Sequence, residues 1–341
     1  MLTADLLAEA KVPRYTSYPT APHFSALAAG QYAGWLNALR PSASLSLYLH
    51  VPFCRELCHY CGCHTKATRQ LTPVQRYAEV LAREIAMVAE HVGSRRVTRI
   101  HWGGGTPSIL GKELATVFAA ISIAYDLTPL EEHAIELDPR VVDPPLIELL
   151  RCIGIDRASL GVQDLSAEVQ RAIGRVQPPE RVEEVVAGLR AAGIGDLNFD
   201  FMYGLPHQTL REIRTNVDFA ARLRPGRIAL FGYAHVPWMK PQQRLIDTAA
   251  LPGAAERLEQ AERAREWLIE AGYRPVGLDH FALPDDALVK AARAGTLRRN
   301  FQGYTTDNAD ALIGFPARRT AAGRLRPAKT AVNVTTGGDS I

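Results

Sequence analysis

Six β-like runs recur along the chain: Leu45–Val51, Val97–Trp102, His133–Leu137, Arg157–Gly161, Leu197–Tyr203 and Ile228–Tyr233. Amphipathic segments of helical length separate them, and strands alternating with helices imply a parallel sheet with right-handed crossovers and helices outside. The helices carry their own start signals. Thr72 and Pro73 read as N-cap and first residue of a helix through VQRYAEVLAREIAMVAEHV. A second starts at Pro179, aligns Val182, Val185, Val186 and Leu189 on one face, and stops near Gly193. A third opens with Thr209 and Glu212 at capping-box spacing, and another is expected near Gly253–Ala271. Six βα units are too few for the eight-stranded barrel and also fit an open doubly wound sheet; in both, ligands sit at the C-terminal ends of the strands. Polar groups gather there. The cysteine-rich loop follows the first run, Gly103–Thr106 the second, Glu136 ends the third, Gln163 follows the fourth and Asp200 lies within the fifth.

Four of the five cysteines, Cys54, Cys58, Cys61 and Cys63, fall within ten residues, as C-x3-C-x2-C-x-C. A disulfide framework staples distant segments, whereas a dense cluster points to a metal or redox site. Soft thiolates in one loop hold zinc or iron–sulfur. Structural zinc commonly uses two separated cysteine pairs, and no second pair is present; zinc held with help from His59 or His64 stays open. Three cysteines on a cubane would leave one iron free for an exogenous ligand. Cys152, in LIELLRCIGI, reads as a small buried hydrophobe.

Charge narrows the partner class. The chain of 341 residues carries a formal +3, but residues 316–341 hold five cations (Arg318, Arg319, Arg324, Arg326, Lys329) against Asp339 alone. The remainder has 34 basic against 35 acidic groups, so its body is no nucleic-acid surface. The longest uncharged apolar run, Leu114–Tyr125, has 12 residues and is too short to span a bilayer. With no signal-like start, the expectation is a cytoplasmic monomer without nucleic-acid or membrane partners.

Ten ordered motifs then carry a resemblance: PRYTSYPT (13–20), YLHVPFC (48–54), C-x-C (61–63), HWGGGTP (101–107), ELDPR (136–140), SLGVQD (159–164), FDFMYGLPHQT (199–209), YAHVP (233–237), DHFALPDD (279–286) and NFQGYTT (300–306). The C-x3-C-x2-C loop after a strand resembles the radical S-adenosylmethionine (SAM) superfamily, and the whole set is similar to its oxygen-independent coproporphyrinogen III oxidases. The resemblance implies a partial (β/α)6 barrel of six parallel strands with outer helices, an N-terminal arm (1–44) and a barrel with its extension (45–315). It implies a [4Fe–4S] cluster on Cys54, Cys58 and Cys61, with Cys63 an additional cysteine that is not a ligand. SAM would chelate the open iron and be cleaved reductively to a 5′-deoxyadenosyl radical. That radical would take hydrogen from one propionate of coproporphyrinogen III, after which CO2 leaves and a vinyl group remains; two propionates would react in turn, consuming two SAM. A low-potential donor of flavodoxin or ferredoxin type would supply electrons.

Carried over by residue, the resemblance places Tyr48, Tyr60, Gly104, Gly105, Thr106, Glu136, Gln163, Arg175, Asp200 and Ala234 at SAM. It places Tyr48, His50, Glu136, Phe301 and Gln302 near the chemistry. The residues support parts of this independently. Glycines without Cβ allow close approach and present backbone N–H and C=O groups to a polar ligand, although GGG is also an ordinary strand-to-helix turn. Tyr48 and His50 alternate with Leu47, Leu49 and Val51 and so share one strand face, a pattern that also fits satisfied core polars. His101, Trp102 and His280 read equally well as packing. A heme-binding chaperone class shares the cysteine motif and barrel; Cys63 and PRYTSYPT favour the oxidase.

After Phe315 the match ends. The family continues with a small-residue segment holding a SAM-contacting isoleucine, where ungapped register puts Thr320, and then a helical C-terminal domain. Residues 316–341 lack aromatic residues and clear periodicity, and read as a loose basic tail. A frameshift or truncation near residue 315 is expected, with an incomplete second-SAM pocket and impaired turnover unless another chain supplies the lid.

Overall fold

The computed structural model describes residues 29–315, together with 318–319, 325–326 and 332–334. The PRYTSYPT arm and most of the basic tail, including Thr320, lie outside the described residues. Helix α1 (Ala29–Asn37), strands β1 (Leu45–Val51), β2 (Phe53–Cys54) and β3 (Lys66–Ala67), and helix α2 (Leu71–Val92) open the fold. β4 (Val97–Gly104), α3 (Glu113–Ala124), β5 (Glu132–Leu137), α4 (Pro144–Cys152), β6 (Arg157–Gln163), α5 (Ala167–Ala172), α6 (Pro179–Ala191), β7 (Asp196–Tyr203), α7 (Leu210–Leu223) and β8 (Arg227–Gly232) follow. An extension adds α8 (Ala254–Glu270), β9 (Arg274–Val276), β10 (His280–Ala282), α9 (Ala287–Arg293), β11 (Arg298–Asn300), β12 (Gly303–Thr305) and β13 (Ala311–Phe315).

The six expected strands pair in parallel in the order β1-β4-β5-β6-β7-β8. No reversal of strand order occurs, so every right-handed crossover lands on the same face. This is the winding of a barrel, not of a doubly wound sheet with its switch point. The sheet also extends beyond the expected six. β13 lies parallel to β1 on its far side, and β10 and β9 run antiparallel beyond β8. In the tail expected to be loose, Val332–Val334 pairs antiparallel with β13, covering backbone groups of an edge strand. The segments 318–319 and 325–326 pair with each other.

Alternation along the strands separates two interiors. Leu47, Leu49, Ile100, Trp102, Ile135, Leu160 and Phe199 point outward and are buried against the helices. The opposite face carries polar groups into the barrel. Near the N-terminal strand ends Arg99 bridges Glu132 (3.2 Å), Arg157 bridges Glu132 (2.8 Å) and Asp196 (3.0 Å), and Arg227 bridges Asp286 (2.9 Å). Alternating signs let each buried charge face an opposite one, so this end is closed by ion pairs and the other stays available for a ligand.

Most local signals hold. α6 starts at Pro179 and buries Val182, Val185, Val186 and Leu189, and Thr209 with Glu212 forms a capping box on α7. Two expectations are corrected. α2 begins at Leu71 with Gln70 at its N-cap and no side-chain cap, so Thr72 is already helical. Pro73 fits there because first-turn N–H groups have no helical partner to lose. Cys152 is exposed, the last residue of α4, with its thiol 3.4 Å from Glu148 Oε1, because the buried stripe of that helix is Leu146 and Leu150. No helix among the described residues is long and apolar enough to cross a membrane.

Glu84 on the buried face of α2 has an Oε2 atom with no hydrogen-bond partner, and burial pushes its carboxyl up to about 7. The folded state therefore keeps a proton that the unfolded state releases from its ordinary value upward. Stability falls as pH rises through that window, by about 3 kcal/mol in total. Glu84→Gln is expected to abolish this slope. In urea denaturation the variant should gain on the parent between about pH 5 and about pH 8.5, and a constant difference across that range would sink the assignment.

Candidate active site

β1 ends in a loop that β2 and β3 tie down as a short parallel pair, Phe53 opposite Lys66 and Cys54 opposite Ala67. Three of its sulfurs receive hydrogen bonds. Cys54 Sγ lies 3.4 Å from Thr106 Oγ1, which donates to it, and 3.3 Å from Thr65 Oγ1. The buried Cys58 Sγ accepts from Arg140 Nη2 (3.7 Å) and Arg175 Nη1 (3.6 Å). Cys61 Sγ accepts the main-chain N–H of Cys63 at 3.4 Å. Hydrogen bonding by the Cys63 thiol and amide outweighs burial and brings the Cys61 thiol down to about 6; the same contact keeps Cys63 protonated. Thiolates are the ligating form, and donors aimed at sulfur favour them.

Asp138 organises the cations on Cys58. It accepts Arg140 through Nε (3.0 Å) and Nη2 (2.7 Å), and Arg175 through both Nη atoms at 3.1 Å. Burial alone would raise the Asp138 carboxyl, but Arg175 and Arg140 overcome that and hold it below its ordinary value. Arg175 is further fixed by the Gly161 carbonyl at 2.6 Å. The loop's other flank is held by Gln242 Nε2 on the Cys61 carbonyl (2.7 Å), Gln243 Nε2 on the Tyr60 carbonyl (2.9 Å) and Lys240 Nζ on the Cys63 carbonyl (2.9 Å).

The glycine turn is shaped by its own protein. A Cβ on Gly103 would sit 2.7 Å from Glu136 Oε1, on Gly104 2.7 Å from the His50 ring, and on Gly105 2.5 Å from the Phe53 carbonyl oxygen. Its amides are engaged: Gly104 N–H donates to Glu136 Oε2 (3.0 Å), Gly105 N–H to Val51 O (2.8 Å) and Thr106 N–H to Phe53 O (2.7 Å). The expected offer of N–H groups to a ligand is thus taken up internally, which leaves the carbonyls. Gly105→Ala is expected to cost about 1–3 kcal/mol or more, since the obstacle is backbone that cannot rotate away. Because it displaces Phe53 and Cys54, it should also lower iron uptake; unchanged urea midpoint and iron content would refute the close approach.

Beneath the turn, Tyr48, His50, His101 and Glu136 form one connected group. His50 Nε2 lies 2.9 Å from the His64 carbonyl, so it carries the proton, and Nδ1 accepts from Tyr48 Oη at 3.1 Å. Burial, with Glu136 adding to it, pushes the Tyr48 phenol up, consistent with its role as donor. His101 Nε2 sits 3.2 Å from Glu136 Oε1. The Phe301 ring meets Tyr48 edge-on at 4.8 Å, bringing the β11–β12 hairpin to this group, whereas Gln302 only caps that hairpin through its N–H on Asn300 Oδ1. Across the barrel Asp200 accepts from Ser159 Oγ (2.9 Å) and Asn198 Nδ2 (2.7 Å), and burial pushes it up to about 6. Gln163 holds a left-handed φ of 67° at the end of β6, beside a Gly161 that leaves room for its Nε2. Ala234 is represented through its carbonyl, which accepts from Gln243. Tyr60 packs against Val169, Ile173, Leu205, Tyr233 and Ile246. Trp102 and His133 bond each other outside the barrel at 2.8 Å, and His280 bonds Asp279 at 2.8 Å.

Sequence reasoning missed Asp138, Arg140, Thr65 and Gln243. The first two lay inside ELDPR and were legible as a motif; the others have no local signal. The donor set fits an iron–sulfur cluster. Among the described residues no group of three or more His, Cys, Asp or Glu side chains is placed to hold a single metal ion. The fit rests on three thiols of one loop whose sulfurs each receive hydrogen bonds, the surroundings that an iron–sulfur cluster uses.

Comparison with known proteins agrees. The radical SAM superfamily pattern matches residues 48–220. An oxygen-independent coproporphyrinogen III oxidase of Bradyrhizobium diazoefficiens is 51% identical over 320 residues, covering 93% of this chain and 71% of that protein. The Escherichia coli enzyme of that name is 40% identical over 304 residues, covering 89% and 66%. The solved structure of coproporphyrinogen III oxidase from Escherichia coli, described as a radical SAM enzyme, superposes with a TM-score of 0.85 at 38% identity, covering 89% of this chain and 70% of that one.

Proposed function

Because this chain belongs to the oxygen-independent coproporphyrinogen III oxidases of the radical SAM superfamily, we propose that Cys54, Cys58 and Cys61 hold its [4Fe–4S] cluster and that the adjoining mouth binds SAM and substrate. The family makes it an oxidoreductase of heme biosynthesis that converts coproporphyrinogen III to protoporphyrinogen IX. The observation that carries the residue assignment is the convergence of Thr106, Arg140, Arg175 and the Cys63 amide on those three sulfurs.

When bound, the cluster and SAM supply one-electron reduction and a 5′-deoxyadenosyl radical. The chain's own groups prepare the surroundings. Arg140 and Arg175 offset the negative charge of thiolate sulfur, and Asp138 holds both in place. Glu136 and Asp200 offer carboxylate oxygens to ribose hydroxyls, and the carbonyls of Gly104, Gly105 and Ala234 offer acceptors to polar hydrogens. Gln163 and Arg175 close that side, while Tyr60 packs behind the loop. Tyr48 and the half-exposed Phe301, in edge-on contact, would set aromatic surface beside the reacting carbon. The Tyr48 phenol and His50, held in one tautomer, would face the propionate to be oxidised, with Gln302 on the neighbouring hairpin. Two propionates would react, each consuming one SAM, with electrons from an external low-potential donor.

Anaerobic incubation with SAM, dithionite and coproporphyrinogen III tests this. The expected products are 5′-deoxyadenosine, CO2 and protoporphyrinogen IX, with two 5′-deoxyadenosine per porphyrin. A reconstituted protein that assembles no cubane would overturn the reading.

A further inference from the structure

His101 sits at a junction of the barrel mouth. On β4 it lies level with Tyr48 of β1, and the two rings stack with centroids 5.9 Å apart at 22°. Tyr48 in turn meets Phe301 edge-on. On its other flank His101 Nε2 lies 3.2 Å from Glu136 Oε1. A carboxylate only accepts, so Nε2 carries the proton and donates. Glu136 is thereby held at both oxygens. Oε2 accepts the Gly104 N–H at 3.0 Å, and the carboxylate lies against the backbone of Gly103, where a Cβ would stand 2.7 Å from Oε1. Both donors belong to β4, while the carboxylate comes from β5. A carboxylate has about four acceptor positions, two on each oxygen. These donors use one on each, which leaves a matching pair for two adjacent hydroxyls. The Glu136 side chain is 38% exposed, so a ligand can reach it. Without His101 a long side chain at an open mouth would be tethered through one oxygen and free to change rotamer.

We infer that His101 is a positioning residue for SAM: its Nε2–H locks Glu136 so that one acceptor position on each oxygen is offered to the vicinal ribose hydroxyls. The inference rests on the reading of Glu136 as the ribose acceptor. The stacked Tyr48 ring steadies the same imidazole from the opposite flank.

The test measures Kd for SAM by titration calorimetry on the full chain, reconstituted anaerobically and given no reductant, so that binding is read apart from turnover. His101→Phe keeps a ring beside Tyr48 but removes the donor, and Kd should rise about tenfold. His101→Gln carries an amide N–H where Nε2 stood and should return Kd to within about threefold of the parent. Glu136→Ala should weaken SAM at least as much as His101→Phe. Adding His101→Phe to Glu136→Ala should then change Kd by less than about twofold, because the histidine acts through the carboxylate. Iron content and urea midpoint, measured on every variant, are expected to stay at the parent values in His101→Gln. Equal losses in the Phe and Gln variants, or losses that multiply in the double variant, would overturn the inference and leave His101 as packing. Parent-like SAM binding by Glu136→Ala would overturn the ribose reading and the inference together, whereas failure of the His101 step alone leaves the Glu136→Ala loss in place.

Discussion

Cys58→Ala is expected to abolish iron–sulfur absorbance and reduce SAM cleavage to background, whereas Cys63→Ala keeps the cluster and stays within about tenfold of the parent rate. The two cysteines are five residues apart, and the difference lies in what surrounds them. Cys58 is buried, and its sulfur takes hydrogen bonds from two guanidinium groups that Asp138 fixes in place. Cys63 is exposed, and the contact it makes to Cys61 Sγ runs in part through its main-chain N–H, which alanine retains. Cys54→Ala and Cys61→Ala should resemble Cys58→Ala, since each sulfur has its own donor. Cys152→Ala, at the exposed end of α4, should be silent. Iron and sulfide content after anaerobic reconstitution, together with the visible spectrum, decides the matter. Full cluster content in Cys58→Ala, or its loss in Cys63→Ala, would reassign the ligands.

The fold was legible wherever it depended on local periodicity. Leu47 and Leu49 against Tyr48 and His50 announce a strand with one apolar and one polar face, and β1 has that form. Phe315 and its neighbours were less legible. ALIGF is five residues with no flanking helix signal, and its role as a strand depends on pairing with Leu45–Leu49, far away in sequence. That join is secured by Asp310 on Ser44 and Asp307 on Ser46, contacts that no local window contains. The same distinction holds within the site. The cysteine spacing, GGG and ELDPR are short motifs and could be read directly. What the glycines approach could not be read, because it is the Phe53 carbonyl and the His50 ring, set by how β1 lies against β4.

Asp164 shows a third level. It follows Gln163 in SLGVQD and is fully buried, accepting from Gln208 Nε2 and Asn216 Nδ2, each at 2.7 Å. Gln170 and Gln177 complete the group through Gln170 Nε2 on the Gln177 carbonyl at 2.6 Å. A buried polar network of this kind fixes geometry more than it adds stability. Here it fixes the turn from which Gln163 and Arg175 reach the mouth.

Asp138→Asn is expected to destabilise the fold by about 3–5 kcal/mol and to raise the reduction potential of the bound cluster. Arg175 and Arg140 have side chains only 7% and 19% exposed, and Asp138 is the carboxylate both share. Asparagine keeps the shape but removes the charge, leaving two largely buried cations side by side with no carboxylate to offset them. Those cations then act undiminished on Cys58, which favours the more negative, reduced state of whatever the sulfur holds. The pH dependence follows from the depressed carboxyl. Its stabilising contribution is present above the ordinary aspartate range and is lost as pH falls through the folded value, so parent and variant should converge in acid. Arg140→Met added to Asp138→Asn should recover part of the lost stability, because one unpaired cation is removed; the same change in the parent should only cost stability. Urea denaturation and a redox titration of the four proteins separate this account from simple misfolding, which would give no recovery in the double variant and no shift in potential.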